Sequence, residues 1–469
     1  MATDLTNGPV AAHLRRQATP FALGLIALIS FDAVDLFFVS RLGDQPLAAI
    51  SFTFPVVWLL SSIIIGFEAG AASCISRAVG KNDQVMARRQ TTDTAALAGV
   101  VSLTLCMLGL MNIVPLFRML GATDELLPLI DDYMGIWFFA EPAAAVMWTC
   151  LAAMRARGNS LLEGKIITTA SVINAILDPI FIFGWFGFPR MEVAGAALAT
   201  LVANAIMLVG TLGWLHFRLH VFATPFTRFA NIVDSWRRML HVGLPAMATN
   251  AIVPIANGII VAMIAGFGVD AVAGFGIAMR VEPIFLIAFY ALSAVTSPFM
   301  GQNFAARRFD RVAEARIVTA RFCLFFGLAL ALVLGVMAVP LSTIFSKTDA
   351  IRDVAVEYLW IMAISYGGYG LVMATCAAFN GIGHPGPGLI ISATRVLILF
   401  LPLAYAGKVL IGLRGIFIAS AVSNVAVAIM GFVWLGRRVS LAISNDERDP
   451  GGSGPGTQPL APGGDSIAS

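Results

Sequence analysis

Hydrophobic residues in this chain gather in long blocks, with charged residues confined mostly to the short stretches between them. A block of about 20 apolar residues makes a helix of roughly 30 Å, the thickness of bilayer hydrocarbon. Twelve blocks reach that length, over residues 20–40, 47–76, 91–116, 128–154, 162–186, 193–217, 239–267, 271–300, 317–345, 355–379, 386–407 and 413–436. From about Ser440 the pattern dissolves into Gly, Pro and Ser, as in DPGGSGPGTQPLAPGGDS, a composition that predicts a disordered tail. The pattern predicts an all-α integral membrane protein of twelve transmembrane helices.

Bulk composition agrees: 58% of residues are hydrophobic, only 12% are charged and the mean hydropathy is +0.86, which excludes a water-soluble chain. A net charge of +3 is too weak for a nucleic-acid partner. Cys74, Cys106, Cys150, Cys323 and Cys376 lie singly in apolar runs, without disulfide or zinc spacing, and read as small core residues. The opening MATDLTNGPVAAHLRRQATP lacks a signal-peptide pattern, so the first apolar block is expected to stay as a helix. Lys and Arg then fix an orientation. With the amino terminus inside, inner segments carry Arg15, Arg16, Arg77, Lys81, Arg155, Arg157, Arg307, Arg308, Arg437 and others, whereas outer segments carry only seven basic residues, Arg41, Arg118, Arg190, Lys347, Arg352, Lys408 and Arg414. Both termini are expected in the cytoplasm of a cell bounded by this inner membrane.

Shifting the chain on itself by roughly 225 residues pairs RLGDQPLAAI at 41 with GFGVDAVAGF at 266 and CLAAMRARGNS at 150 with TCAAFNGIGHP at 375. After a small change of loop length, VAGAALATLVAN at 193 pairs with LRGIFIASAVSN at 413. Six helices per half is an even number, so the halves share one orientation and leave a cleft between two pseudo-symmetric bundles. The expected division is a cytoplasmic segment 1–19, an N-lobe 20–218 of helices 1 to 6, a linker 219–238, a C-lobe 239–437 of helices 7 to 12, and the tail 438–469.

Ionisable groups in hydrocarbon are costly and mark function by default. Six acids fall within the expected spans, Asp32, Asp35, Glu68, Glu141, Asp178 and Glu282, five of them in the first half. At the repeat positions, Asp35 corresponds to Ile260, Asn174 to Leu399 and Asp178 to Leu403, so any carboxylate chemistry belongs to the first half. Asp32 and Asp35 are three apart, and Asn174 and Asp178 four apart, which puts each pair on one helix face. Two carboxylates and an amide form an oxygen-rich pocket suited to H⁺ or Na⁺; the alternative is that these acids bond to neighbouring helices or face an aqueous vestibule. For Glu68 and Glu141 that structural role is the leading expectation. Arg280 and Glu282 read equally as a cleft-lining or an interfacial pair, and Arg395 as a residue that snorkels or pairs with an acid. Pro20 is expected to open the first helix, and Pro179 follows Asp178 directly.

These segments together resemble the multidrug and toxic compound extrusion (MATE) transporters, and within them the DinF-like branch, over residues 15 to 438. The resemblance rests on AVDLFFVSRLGDQPLAAIS, NAILDPIFIFG, EVAGAALAT, AVAGFGIAMRVE, GQNFAARR and AAFNGIGHPG. It implies an N-lobe cation site at Asp35, Asn174 and Asp178, with Thr200 a further member, and a bend of the first helix at Pro20. Carboxylates that another branch uses for Na⁺ in helices 7 and 10 are absent from ATNAIVPIANGIIVAMIAG and ISYGGYGLVMATCAAFN.

The expectation is a secondary active multidrug efflux transporter, H⁺- or Na⁺-coupled, expelling lipophilic and cationic small molecules by alternating access. Asp32, Glu141, Arg280 and Glu282 are the candidate cleft residues. No enzyme motif and no cofactor beyond the coupling ion are expected, and the working unit is expected to be a monomer. The alternative is a flippase for a lipid-linked precursor, which would need basic residues in its cavity, where this chain has only Arg280 and Arg395.

Overall fold

The computed structural model describes residues 4–223 and 229–448. Twelve helices among them are long and apolar enough to cross a membrane. They are α1 (Val10–Ser40), α2 (Asp44–Gly80), α3 (Gln84–Met111), α4 (Leu127–Ala156), α5 (Ser160–Phe183), α6 (Glu192–Phe217), α7 (Phe229–Ala265), α8 (Val269–Ala305), α9 (Phe309–Phe345), α10 (Asp349–Gly381), α11 (Gly386–Ile411) and α12 (Leu413–Arg448). No strand occurs in the described residues.

The repeat seen in the sequence is built into the backbone. Helices α2 and α8 begin and end 225 residues apart (44 to 269, 80 to 305). Each is preceded by a glycine that only a residue without Cβ adopts easily, Gly43 at φ 117° and Gly268 at φ 106°. The turns that follow them repeat too, with Asn82 at φ 59° and Arg307 at φ 58°. Within the first half α1 packs on α5 and α4 on α6 and α2; within the second α10 is central, against α8, α9 and α12.

Several helix ends differ from the sequence reading. Helix α1 starts at Val10, so Pro20 lies inside it rather than opening it. Residues 10–19 are good helix formers, and Val10 and Leu14 are buried, which gives the extra turns packing energy. The expected cytoplasmic segment 1–19 is thus mostly helix: Leu5 is fully buried, and Arg311 donates to its carbonyl at 3.0 Å and to that of Gly8 at 2.6 Å. The expected linker 219–238 is shortened by α7, which begins at Phe229; residues 224–228 lie outside the described residues. Helix α12 runs to Arg448 instead of stopping near 437, because Val439 and Ala442 are buried and Asp446 pairs with Arg307. The remainder of the expected tail, 449–469, lies outside the described residues. Helix α11 widens to a π-helix over Thr394–Phe400, just before Pro402, whose ring would clash with the carbonyl four residues back in a regular turn.

Contacts between the halves concentrate at one end, the end that carries both described termini. There Gly66 and Gly70 of α2 meet α7 so closely that a Cβ on Gly66 would stand 2.0 Å from Met247 Cγ, and one on Gly70 2.6 Å from the Met239 carbonyl oxygen. Ser73 donates to the Asn380 carbonyl at 2.5 Å, Gln302 donates to the Ala156 carbonyl at 2.7 Å, and His13 of α1 lies 6.4 Å from the Phe299 ring of α8. Toward the opposite, distal end the same helices carry exposed side chains, among them Asp32, Leu59, Arg280 and Ile284. This distribution fits a cleft between the halves, sealed at the terminal end and open at the distal end.

Candidate functional site

Asp35 of α1 meets Asn174 and Asp178 of α5 in the first half. Asp178 is fully buried and Asn174, one turn earlier on α5, is 6% exposed; the Asn174 amide donates to Asp178 Oδ1 at 3.4 Å. Pro179 has no N–H to give, so the Ala175 carbonyl beside this pair loses its helical donor and remains an available acceptor. Asp35 of α1 lies within electrostatic reach of Asp178. Asp35 Oδ1 and Asp178 Oδ2 are both buried without a hydrogen-bond partner among the described residues. Acceptor oxygens left so are costly and call for a proton or a cation.

Two members of the cluster were not anticipated. Tyr133 of α4 is buried within electrostatic reach of Asp35, Asp178 and Asp32, and its hydroxyl can serve as donor or acceptor. Ser171 lies on the same α5 face as Asn174 and Asp178, at the i, i+3, i+7 spacing, and its buried hydroxyl also lacks a partner. That spacing is readable in the sequence; Tyr133, on a different helix, offers no local signal.

The other expected residues divide. Thr200 is half-buried on α6 and donates to its own helix, to the Ala196 carbonyl at 3.2 Å. Asp32 is exposed, and lies within electrostatic reach of Asp35 and Tyr133. Glu141 is buried on α4 within electrostatic reach of Cys106. Arg280 and Glu282, read as a pair, point apart. Glu282 faces into the second half and accepts from the Tyr358 hydroxyl at 3.0 Å, whereas Arg280 is exposed with no partner among the described residues. Two residues along a helix turn through about 200°, which forbids the pairing. Arg395 donates to Asn424 at 3.1 Å and covers the Tyr369 ring at 5.1 Å.

Glu68 is structural. Arg155, at the end of α4, donates to Glu68 at 2.9 Å and to Glu163 of α5, and covers the Phe21 ring of α1 at 4.8 Å. One guanidinium thus ties four helices of the first half. Arg155, placed by the charge pattern in an inner loop, is 3% exposed, and Glu163 is fully buried.

A duplicated twelve-helix bundle with a cleft between its halves and unpartnered carboxylates beside that cleft defines a multi-pass membrane transporter. The family model MatE matches residues 20–180 and again 245–406, close to the 225-residue shift of the repeat, and the chain belongs to the MATE family of transporters. The FAD transporter of Shewanella oneidensis is 34% identical over 441 residues, spanning 93% of this chain and 96% of that one. The probable multidrug resistance protein YoeA of Bacillus subtilis is 23% identical, over 73% of this chain and 76% of its own length. Among solved structures, the Vibrio cholerae MATE transporter VcmN in the bent form superposes with a TM-score of 0.86 at 28% identity, over 92% of this chain and 98% of that chain.

Proposed function

We propose that this protein is a cation-coupled antiporter that exports amphipathic organic molecules, with H⁺ or Na⁺ taken up at Asp35, Asn174 and Asp178. The observation that carries the reading is the pair of buried, unpartnered oxygens on Asp35 and Asp178. When both carboxylates are ionised they repel one another in a low-dielectric site, and a bound proton or Na⁺ removes that repulsion. Because Asp35 and Pro20 share α1, relief of the repulsion lets α1 bend toward α5 and narrow the cleft. The positive-inside distribution supports termini in the cytoplasm of a bacterial inner membrane, so the open end faces outward. Ion entry from outside then expels substrate outward, from a unit that works as a monomer. Reciprocity requires substrate to weaken ion binding by the factor with which the ion weakens substrate binding, typically about 5- to 150-fold.

Two substrate readings have support. Multidrug relatives and a cleft with acids on its first wall favour lipophilic cations. The 34% identical FAD transporter and the exposed Arg280 favour a flavin dinucleotide. The test is substrate uptake into inverted vesicles, with ethidium and FAD as separate substrates and proton and sodium gradients imposed separately. Gradient-driven uptake lost in Asp35→Asn and Asp178→Asn supports the coupling site; uptake driven by ATP, or indifferent to both gradients, overturns it.

A further inference from the structure

The cleft has walls of opposite charge at one height. Helices α1 and α8 run antiparallel and meet at the sealed end, where His13 lies against Phe299. Nineteen residues beyond that contact on each helix (13 to 32, 299 to 280) stand Asp32 and Arg280, each about 28 Å up at 1.5 Å per residue. The lateral register agrees. Phe21 of α1 and Ala291 of α8 belong to one apolar cluster, whose other buried members come from the first half. Asp32 is eleven residues beyond Phe21 and Arg280 eleven before Ala291, three full turns in both cases, so each lies on the helix face of its member of that cluster, and both are exposed. Ile284, on the same face of α8 as Arg280, is 54% exposed.

Arg280 has neither an ion pair nor a hydrogen bond among the described residues, and the acid two positions away is engaged with Tyr358 inside the second half. Charged side chains within membrane helices are kept where they face a cavity and serve the passage of a substrate or ion. A planar guanidinium suits a phosphate through paired, parallel hydrogen bonds. Opposite it, Asp32 repels an anion from the first wall. Near the same face, α7 presents Asn250 and Asn257, seven residues apart and on the side of that helix where Gly243 packs against α2. These amides can bond the polar edge of an aromatic ring system.

We infer that Arg280 is the anchor for the phosphate of an aromatic organic phosphate of the nucleotide class, and that Asp32 orients such a ligand with its anionic part toward the second half. The inference rests on the export reading above but names a separate group from the coupling carboxylates.

The experiment measures binding to purified protein in detergent with no gradient, so it is independent of whether transport is ion-coupled. FAD and riboflavin are the probes, since they share a ring system and differ by the adenosine diphosphate portion. Wild type is expected to prefer FAD by at least tenfold. Arg280→Gln is expected to reduce that preference about tenfold and Arg280→Lys to restore part of it. Asp32→Asn is expected to act with the opposite sign, tightening FAD binding severalfold. Competition by phosphatidylglycerol micelles separates a lipid phosphate from a soluble one: displacement of FAD at equimolar lipid overturns the nucleotide assignment. An equal loss of FAD and riboflavin in both Arg280 variants, or an unchanged preference in Arg280→Gln, overturns the anchor. Failure of gradient-driven uptake with this binding pattern intact would overturn the coupling reading alone.

Discussion

Asp178 and Asp35 differ from Glu68, Asp93 and Glu163 in having no guanidinium partner among the described residues, and substitution should expose the difference. Asp178→Asn removes a buried charge without leaving a partner stranded, so expression and thermal stability should stay near wild type while coupled uptake disappears. Arg155→Gln should do the reverse. It strands Glu163, which is fully buried, and the cost of an uncompensated buried charge is about 3–5 kcal/mol, to be read as a large fall in midpoint temperature or in folded yield. Adding Glu163→Gln should recover part of that loss. In the loop before α11, His384 Nε2 accepts from Arg438 at 2.6 Å, and burial with the Arg438 charge pushes its pKa below the usual 6.5. A depressed pKa gives stability that is present above 6.5 and lost as pH falls through the folded value. Thermal stability in detergent should therefore drop on acidification below about 6.5, and His384→Gln should flatten that dependence. The first-half location and the Asn174 and Asp178 spacing were legible in the sequence because an acid in an apolar run is conspicuous. Glu163 and Arg155 were hidden because they sit where a span meets a loop, and only the fold turns them inward.

Helix α1 depends on two residues it does not share with any neighbour in sequence. Pro20 frees the carbonyl of Arg16, and Pro20's own carbonyl lies against Gly164 of α5, where a Cβ would stand 2.2 Å from the oxygen. Gly164→Ala should overpack that crossing at a cost of about 1–3 kcal/mol and slow uptake, measured by thermal unfolding beside vesicle transport. Unchanged stability with unchanged rates would mean that α1 bends elsewhere. The apolar blocks revealed all twelve helices, but not their ends. Hydropathy reports the stretch in contact with lipid, whereas α1 and α12 continue past it on amphipathic turns that pack against the protein, as Leu14 and Val439 do. The twin glycines at 43 and 268 were legible as aligned letters, and their shared positive φ explains why glycine is suited to both places.

Across the whole molecule, the proposed alternating access requires the seam of α2 on α7 to part, and Gly66 and Gly70 are what let it close. Gly70→Val should keep the terminal end from sealing and shift the population toward the arrangement open at that end. Spin labels on Lys81 and Arg308, in corresponding turns of the two halves, should then report longer distances than in the protein with Gly70 retained; identical distances would remove the seam from the mechanism. The cleft itself was inferable from the repeat, but its polarity was not, because Asp32 and Arg280 lie 248 positions apart and share a height only through antiparallel packing. One more consequence concerns manufacture. Leu5, Val10 and Leu14 share an apolar cluster with Val295, Val312, Phe379 and Leu435, all from the second half. The ribosome makes Leu435 some 430 residues after Leu5, a wait of about 20–90 s at roughly 5–20 residues per second. Until the last of these helices has been made, the amino end has only part of its berth. A Leu5→Cys thiol on ribosome-held chains ending before Leu413 should react with a water-soluble maleimide, and the reaction should fade once α12 has emerged and docked.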